Sequence, residues 1–330
     1  MADTGQVSFA VVVPAHNAAK DIEECLTALI EDGFGASAVV VVDDGSSDAT
    51  AEIATAHQVV LLHGGPPGEP IGPAAARNLG VAATTSDIVV FVDADVAVAP
   101  GTRAHLHEAF ASADAPSAVF GSYDASPKAP RLVSQYRNLL HHFTHQTADP
   151  NATTFWTGLG AVTRSTFDSV GGFDPTRRYL EDVTVGRAII KAGGRIALIP
   201  EIQGKHLKDW TLGSMFWTDW KGRAVPWAQM QARGEIDKAA LTSSHVHRAN
   251  AVFVWLGIGG MLSGPFSLWG LWVLAVTVVG FVGLNHRFFR LLFKQGGTAL
   301  TCASVAYHAV HYVAATLGQL EVWLLKRARR

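Results

Sequence analysis

The sequence predicts an α/β protein with a mostly parallel sheet and helices on both faces, followed by a region suited to a membrane. Three observations lead there. Short β-branched runs alternate with helical stretches through the first 245 residues, the pattern of successive βαβ units. One run, Val89-Val90-Phe91-Val92, reads as a fully buried strand that continues to two acids, Asp93-Ala94-Asp95, and breaks off there. Beyond residue 245 the texture turns apolar, and residues 251–284 contain no charge, in a chain with 16% charged residues.

Bulk properties narrow the function classes. At 330 residues the chain has room for one large domain or two ordinary ones. A formal charge of −2 supplies no basic field for nucleic acid. Cys25 and Cys302 are the only cysteines, so neither a CxxC metal knot nor a disulfide framework is available, which fits a reducing compartment. Residues 1–7 lack a charged segment ahead of an apolar core, so no signal peptide is expected.

Taken in order, residues 9–13 are expected as the first strand, ended by Pro14. Asn17 can cap a helix whose Ile22, Leu26, Leu29 and Ile30 share one face. Residues 38–42 form the second strand and close on Asp43-Asp44-Gly45-Ser46-Ser47-Asp48. A helix over about 49–57, a short strand at 59–62 and a loop rich in Gly and Pro over 63–73 follow. A helix over 74–83, carrying Arg77 and Asn78, leads into the strand that ends at Asp95. Next come a helix at 101–113, a strand at 118–122 and a helix at 131–146 holding His141, His142 and His145. Residues 151–160 read as irregular, aromatic and glycine-rich, and Gly171-Gly172-Phe173-Asp174 as a turn. Glu181-Asp182 opens a helix to about residue 192, its acids at the favourable end of the dipole, before a last strand at 196–199.

Residues 205–232 interleave Trp210, Trp217, Trp220 and Trp227 with Lys205, Lys208, Lys221 and Arg223. That mixture suits amphipathic helices at a lipid interface, though helices packing tryptophan into a core share it. Residues 251–284 suffice for one tilted span or two short passes, with a kink or tight hairpin at Gly264-Pro265. Residues 286–294 are basic and amphipathic, and 298–317 form a second apolar run. The basic tail from Lys326 to Arg330 and the first half of the chain are both expected on the cytoplasmic side of the inner membrane. Two crossings satisfy this but leave Arg287, Arg290 and Lys294 outside; a hairpin, an interfacial helix and a re-entrant hairpin keep them inside. Both arrangements stay open. The expected division is a catalytic domain over 1–204, with halves at about 1–100 and 101–204, interface helices over 205–245 and a membrane-embedded region over 246–330.

Asp93 and Asp95 alternate about Ala94, so from a strand end both can face one cleft at the carboxyl edge of the sheet, where open α/β sheets bind ligands. Two hard oxygen donors at that spacing suit Mg²⁺ or Mn²⁺, with substrate phosphates completing the shell. A polar strand end capping the next turn would look the same.

Several segments together resemble one family. Val12-Val13-Pro14-Ala15-His16-Asn17, Val42-Asp43-Asp44-Gly45-Ser46-Ser47-Asp48, Arg77-Asn78 and Asp93-Ala94-Asp95 occur in the order seen in family 2 glycosyltransferases. Residues 158–174, Glu181-Asp182 and the stretch from Lys205-His206 to Trp210 continue the match, which spans about residues 7–230. The resemblance implies a GT-A fold, in which a nucleotide-binding half and an acceptor half form one continuous domain. It implies that Pro14, Ala15 and Asn17 lie in the loop that holds the nucleotide and that Asp44 accepts a hydrogen bond from the base. Arg77 would contact the diphosphate or hold Asp93. Asp95 would ligate the divalent metal, with Asp93 on the ribose or the metal and His206 completing the site. Asp182, with Glu181 beside it, matches the base that deprotonates the acceptor hydroxyl in inverting members; burial and a neighbouring charge would raise its pKa. Gly158 and Gly160 would let backbone approach the sugar, and Trp156 would stack on it or on the acceptor.

Two departures qualify this. The QxxRW signature of processive synthases is absent, with Lys205-His206-Leu207-Lys208-Asp209-Trp210 in its place, and His141, His142 and His145 lie outside the family pattern. The expected activity is a membrane-associated, metal-dependent inverting transfer from a UDP- or GDP-sugar donor to a hydroxyl on a lipid or lipid-linked acceptor. A polyprenyl phosphate acceptor, already an anion and needing no base, is the alternative. A non-catalytic sugar-nucleotide-binding membrane subunit is a third reading, opposed by the intact candidate ligands and base. No GxSxG, HExxH or GxxxxGK[ST] motif supports hydrolysis or ATP chemistry.

Overall fold

A computed structural model describes residues 7–236 and 245–328. The expectations resting on residues 1–6, on 237–244 and on Arg329 and Arg330 lie outside the described residues. The chain divides into two compact units, one of Met1–Lys128 with His141–Lys208 and one of Ala129–Leu140 with Asp209–Arg330.

The first unit is organised by a sheet of nine strands among the described residues. Its elements are β1 (Phe9–Ala15), α1 (Ile22–Glu31), β2 (Val39–Asp44), α2 (Thr50–Ala56), β3 (Val60–Gly65), α3 (Pro73–Ala82) and β4 (Ile88–Val92). Then follow β5 (Val96–Val98), α4 (Thr102–Ala111), β6 (Ala118–Tyr123), α5 (Leu132–Thr147), β7 (Asn151–Ala152), β8 (Leu159–Thr163), α6 (Arg164–Ser169), α7 (Glu181–Lys191) and β9 (Ile196–His206). Residues of α5 up to Leu140 count with the second unit.

The strand order is β3-β2-β1-β4-β8-β6-β9-β5, with β7 also on β9. The first four strands are parallel, as βαβ units require. The sheet is nevertheless mixed rather than mostly parallel: β8 runs antiparallel to β4 and β6, and β5 and β7 antiparallel to β9. β4 and β5 are neighbours in sequence yet stand four places apart in the order, so the sheet curls, and the three-residue link Asp93-Ala94-Asp95 lies where it turns. Strand side chains alternate between two apolar layers. Val11, Val13, Val90 and Val92 pack with Leu26 and Leu29 of α1. Val12, Val89 and Phe91 pack with Phe155, Phe167 and Phe173 on the other face. Burial on both faces explains why these runs read as continuous Val rather than alternation.

Several boundaries moved, each for a local reason. β1 passes through Pro14 to Ala15, because pairing with β4 has already stopped at Val12 and Phe91 and the strand is locally an edge. Asn17 does not cap α1, which starts at Ile22 after Asp21; it sits at φ 49° and turns the chain toward Ser47. β4 ends at Val92, so Asp93 and Asp95 occupy a turn closed by Val96 N–H on the Asp93 carbonyl (2.9 Å), not alternate strand positions. β9 runs through Pro200 to His206, and a register shift opposite Phe120 and Ser122 absorbs the proline. Residues 151–160 supply β7 and the start of β8.

The second unit is helical: the first part of α5, then α8 (Leu212–Trp217), a π-helical stretch Thr218–Ala224, α9 (Val225–Ala232), α10 (His245–Ser263), α11 (Leu268–Leu284) and α12 (His286–Ala328). Gly264-Pro265 forms the expected tight turn, between α10 and α11. The two helices approach closely: a methyl on Gly260 would come 2.7 Å from the Leu274 amide, and one on Gly270 2.5 Å from that of Gly264. α12 joins the two segments expected over 286–317 across a break at Gly297 (φ 64°) and bends 80° from α11. C-terminal transmembrane helices were expected, their number left open; among the described residues one helix, His245–Phe266, is long and apolar enough to cross, or two if α11 and α12 form one span broken at their 80° bend. The tryptophan stripe also differs from an interface face, since Trp210 is buried, Trp220 and Trp227 are half-buried and only Trp217 is exposed. Lys221 of this stretch pairs with Glu321 of α12 (2.7 Å), and a methyl on Gly318 would meet Ala224, so these helices pack on α12.

Candidate active site

The carboxyl ends of β1, β2 and β4 converge on one edge of the sheet. Asp44 is buried there, and its carboxylate accepts from the Ile71 N–H (2.7 Å) and the Gly72 N–H (2.9 Å), which ties down the loop before α3. Asn17 Oδ1 accepts from the Ser47 N–H (2.9 Å), and Ser46 Oγ accepts from the Asn17 N–H (2.9 Å), so the ends of β1 and β2 are pinned together. Pro14 and Ala15 lie in the last turn of β1 beside them.

Arg77, on α3, is 4% exposed and spans two acids: Nη2 donates to Asp93 Oδ1 (2.7 Å) and Nη1 to Glu181 Oε1 (2.8 Å). Its Nε has no hydrogen-bond partner among the described residues, and its guanidinium lies 5.8 Å from the Phe173 ring centre. Of the two roles expected for Arg77, it holds Asp93; it also holds Glu181. A buried guanidinium between two carboxylates is strongly bound to its place, since removing one partner of such a pair costs about 3–5 kcal/mol.

Glu181 opens α7 after Leu180, whose φ of 59° is a left-handed conformation that costs a branched side chain energy and recurs at functional sites. Next to it Asp182 is half-buried. Burial first, and the Glu181 charge second, push its carboxyl up to about 7, against the lowering pull of Arg77.

On the other side of the turn, Asp95 Oδ2 stands 3.5 Å from His206 Nε2. The pairing of β5 with β9 sets this, placing His206 opposite Val96, the residue after Asp95. Burial tends to raise the Asp95 pKa, but the hydrogen bond and charge of His206, then Lys208, bring it below the ordinary carboxylate value. Among the described residues no three His, Cys, Asp or Glu side chains gather closely enough to hold an ion by themselves. Asp93, expected on the ribose or the metal, is engaged through Oδ1 by Arg77, and Asp95 and His206 stand as a second pair of donors beside it.

Trp156 and Gly158 are neighbours as expected, and a methyl on Gly158 would strike the Trp156 ring at 2.4 Å. The indole packs edge-on against Tyr123 (4.9 Å) and tilted against His145 (4.9 Å). His141 and His145 thus belong to an aromatic cluster with Tyr123 and Trp156, and His142 Nδ1 bonds the Tyr123 carbonyl (2.7 Å). Tyr123 was missed by sequence reasoning. It stacks flat on His206 (4.3 Å, 11° between planes), a relation set by long-range pairing of β6 with β9 that no local motif signals. Asn78 was legible only as the partner of Arg77; its side chain brackets Phe173 through both backbone groups, fixing the turn Gly171-Gly172 against α3.

Residues 10–171 match the family described as Glycosyl transferase family 2. The chain belongs to this family. The pre-mycofactocin glycosyltransferase of Mycobacterium tuberculosis is 32% identical over 241 residues, which is 66% of this chain and 47% of that protein. The chain therefore spans about half the length of this curated relative. Among solved structures, the mannosyltransferase PcManGT from Pyrobaculum calidifontis, in complex with GDP-Man and Mn²⁺, superposes with a TM-score of 0.58 at 22% identity, over 94% of this chain and 86% of that one. The glucosyl-3-phosphoglycerate synthase of M. tuberculosis with Mn²⁺, UDP and glucosyl-3-phosphoglycerate gives 0.50 at 21% identity, over 71% and 82%. The curled mixed sheet is thus the GT-A-like fold of a family 2 glycosyltransferase.

Proposed function

We propose that the chain is a metal-dependent inverting glycosyltransferase that moves a sugar from a nucleoside-diphosphate sugar to a hydroxyl of a lipid or lipid-linked acceptor. The observation that carries this reading is the Arg77 clamp, which joins Asp93, just after β4, to Glu181, at the start of α7. Family membership, and solved neighbours holding GDP-Man or UDP with Mn²⁺, support the donor class.

The pinned ends of β1 and β2 offer Asn17 and Asp44 to the nucleotide; because both Asp44 oxygens already accept backbone N–H groups, a base would share them. The donor set fits a hard divalent cation in part, since an ionised Asp95 and the adjacent His206 are two suitable ligands, and diphosphate oxygens and water would complete the shell. Such an ion, when bound, neutralises charge on the departing nucleoside diphosphate. Asp182 takes the proton of the attacking hydroxyl as the new bond to the anomeric carbon forms and the bond to phosphate breaks. A carboxylate near 7 is a competent base at neutral pH, where an ordinary one is too weak. This favours a hydroxyl acceptor over a phosphate. Glu181 keeps that value high, and Arg77 holds Glu181 in place.

A lipid acceptor is supported by the second unit, where Phe266, Leu268, Trp269 and Trp272 are 66–90% exposed on a charge-free hairpin. Basic residues at its open end support a cytoplasmic-face location on the inner membrane. The test is transfer of radiolabelled sugar from a panel of UDP- and GDP-sugars into lipid extract, with Mn²⁺ or chelator. Asp95→Ala and Asp182→Asn should each abolish transfer; full turnover in both sinks the proposal.

A further inference from the structure

We infer that α10 and α11 form a re-entrant hairpin that enters the bilayer from one side and ends within its hydrocarbon, without crossing. This rests on the membrane association proposed above and specifies its surface. α10 by length and composition could cross alone, so the hairpin's own chemistry has to decide.

Its base is marked by Asn250 and Asn285, whose side chains exchange hydrogen bonds (2.7 and 3.2 Å). Exposed Arg248, Arg287, Arg290 and Lys294 all lie at that end, suited to anionic headgroups, and no charge occurs between Asn250 and Asn285. From this clasp the helical residues 251–263 descend about 20 Å and α11 about 26 Å at 1.5 Å per residue, short of a hydrocarbon core of about 30 Å.

The tip has the chemistry of a segment that meets no water. Its side chains are apolar and outward, with Phe266 90%, Trp269 80%, Leu268 77% and Leu262 67% exposed. Its serines and the turn backbone are bonded internally: Ser263 Oγ donates to the Gly259 carbonyl (2.8 Å), Ser267 Oγ accepts from the Trp269 N–H (3.2 Å), Ser267 N–H donates to the Gly264 carbonyl (3.3 Å), and Pro265 has no N–H. A hydrocarbon environment demands this accounting, whereas a loop emerging into water does not. The 80° bend into α12 then turns the chain back along the surface it entered from.

Full-length protein lacking its native cysteines (Cys25→Ala, Cys302→Ser) is bound to preformed vesicles of phosphatidylcholine and phosphatidylglycerol and floated. Phe266→Cys and Leu268→Cys report on the tip, and Val246→Cys on the base. A membrane-impermeant maleimide is supplied outside, or trapped in the lumen. With the reagent outside, the tip cysteines should label at least about tenfold more slowly than the base; with it in the lumen neither tip nor base should label; and all should label at equal rates once detergent is added. Lumenal labelling of the tip would show a crossing, and fast outside labelling a hairpin lying on the surface; either overturns the inference while leaving membrane association intact. Protein that fails to float with the vesicles overturns both.

Discussion

Glu181→Gln separates what the neighbouring charge does to Asp182 from what burial does. Asp182 stands near 7 because burial raises it, Glu181 raises it further, and Arg77 only partly offsets them. Transfer to a hydroxyl therefore rises with pH through about 7 and levels off above it. The amide preserves the side chain's length and an acceptor for Arg77, but it removes one negative charge and leaves more of the Arg77 field acting on Asp182. Both changes lower the Asp182 pKa. A like charge about 5 Å away at an effective dielectric near 20 is worth about 3 kcal/mol, an upper bound because Asp182 is reached by solvent. A shift on the order of one pKa unit, about 1.4 kcal/mol, is the expected size. The assay is the pH dependence of kcat/KM for sugar transfer, and its acid limb should move from about pH 7 to roughly pH 6. At high pH the weaker base should turn over a few-fold more slowly. A limb that stays in place or moves upward refutes the coupling; no limb in either protein would mean an acceptor that is already an anion.

The same linkage makes Asp182→Asn a stabilising change that removes activity. The folded pKa of about 7 lies above the ordinary 3.8, so the ionised carboxylate costs stability, fully above pH 7 and not at all below about pH 4; Tm should rise at pH 8 and the gain should vanish toward pH 4. Arg77→Lys keeps the charge but can reach only one of the two acids spanned now, so kcat should fall at least about tenfold with some loss of Tm, the two measured side by side. Chelator should abolish turnover of the native chain, and the Mn²⁺-dependent rise in Tm seen with a nucleoside diphosphate should be lost in both Asp95→Ala and His206→Ala. An undiminished Mn²⁺ response in His206→Ala would remove that histidine from the metal site.

What was legible in the sequence follows the range of the forces involved. The parallel half could be read from Val-rich runs, because strands buried on both faces leave no polar residue to obscure them. The mixed half could not, because β8, β6, β9 and β5 pair across long separations that periodicity does not encode. Pro14 and Pro200 were taken as strand ends; each stays inside its strand where the ladder has stopped or slips register. At the site, motif order brought Asp93, Asp95, Arg77, Glu181, Asp182 and His206 together correctly, but not who holds whom. Arg77 has two acidic claimants, and only the placement of α3 gives it both.

Each unit buries an arginine, and their surroundings differ in an instructive way. In the helical unit Arg137 is 1% exposed and meets Asp219 (2.7 Å), which also bonds His311 Nδ1 (2.8 Å). Burial would raise Asp219, yet Arg137 and His311 hold it at about 2. That acid sits in the π-helical stretch, closed by the Val225 N–H on the Trp220 carbonyl five residues back. From this wide turn Asp219 meets Arg137 of α5 and His311 of α12, so three helical segments share one buried acid. Such a network adds little net stability, because desolvation offsets attraction, but any slip in helix register would leave a charge buried and unpaired at a cost of several kcal/mol. In the sheet unit Arg77 uses the same penalty differently. Its two acids belong to the end of β4 and the start of α7, and Glu181 lies beside the one carboxylate whose pKa is raised to about 7. The arginine that fixes geometry there engages Asp93 and Glu181 directly, and so leaves Asp182, outside its hydrogen bonds, as the acid able to accept a proton.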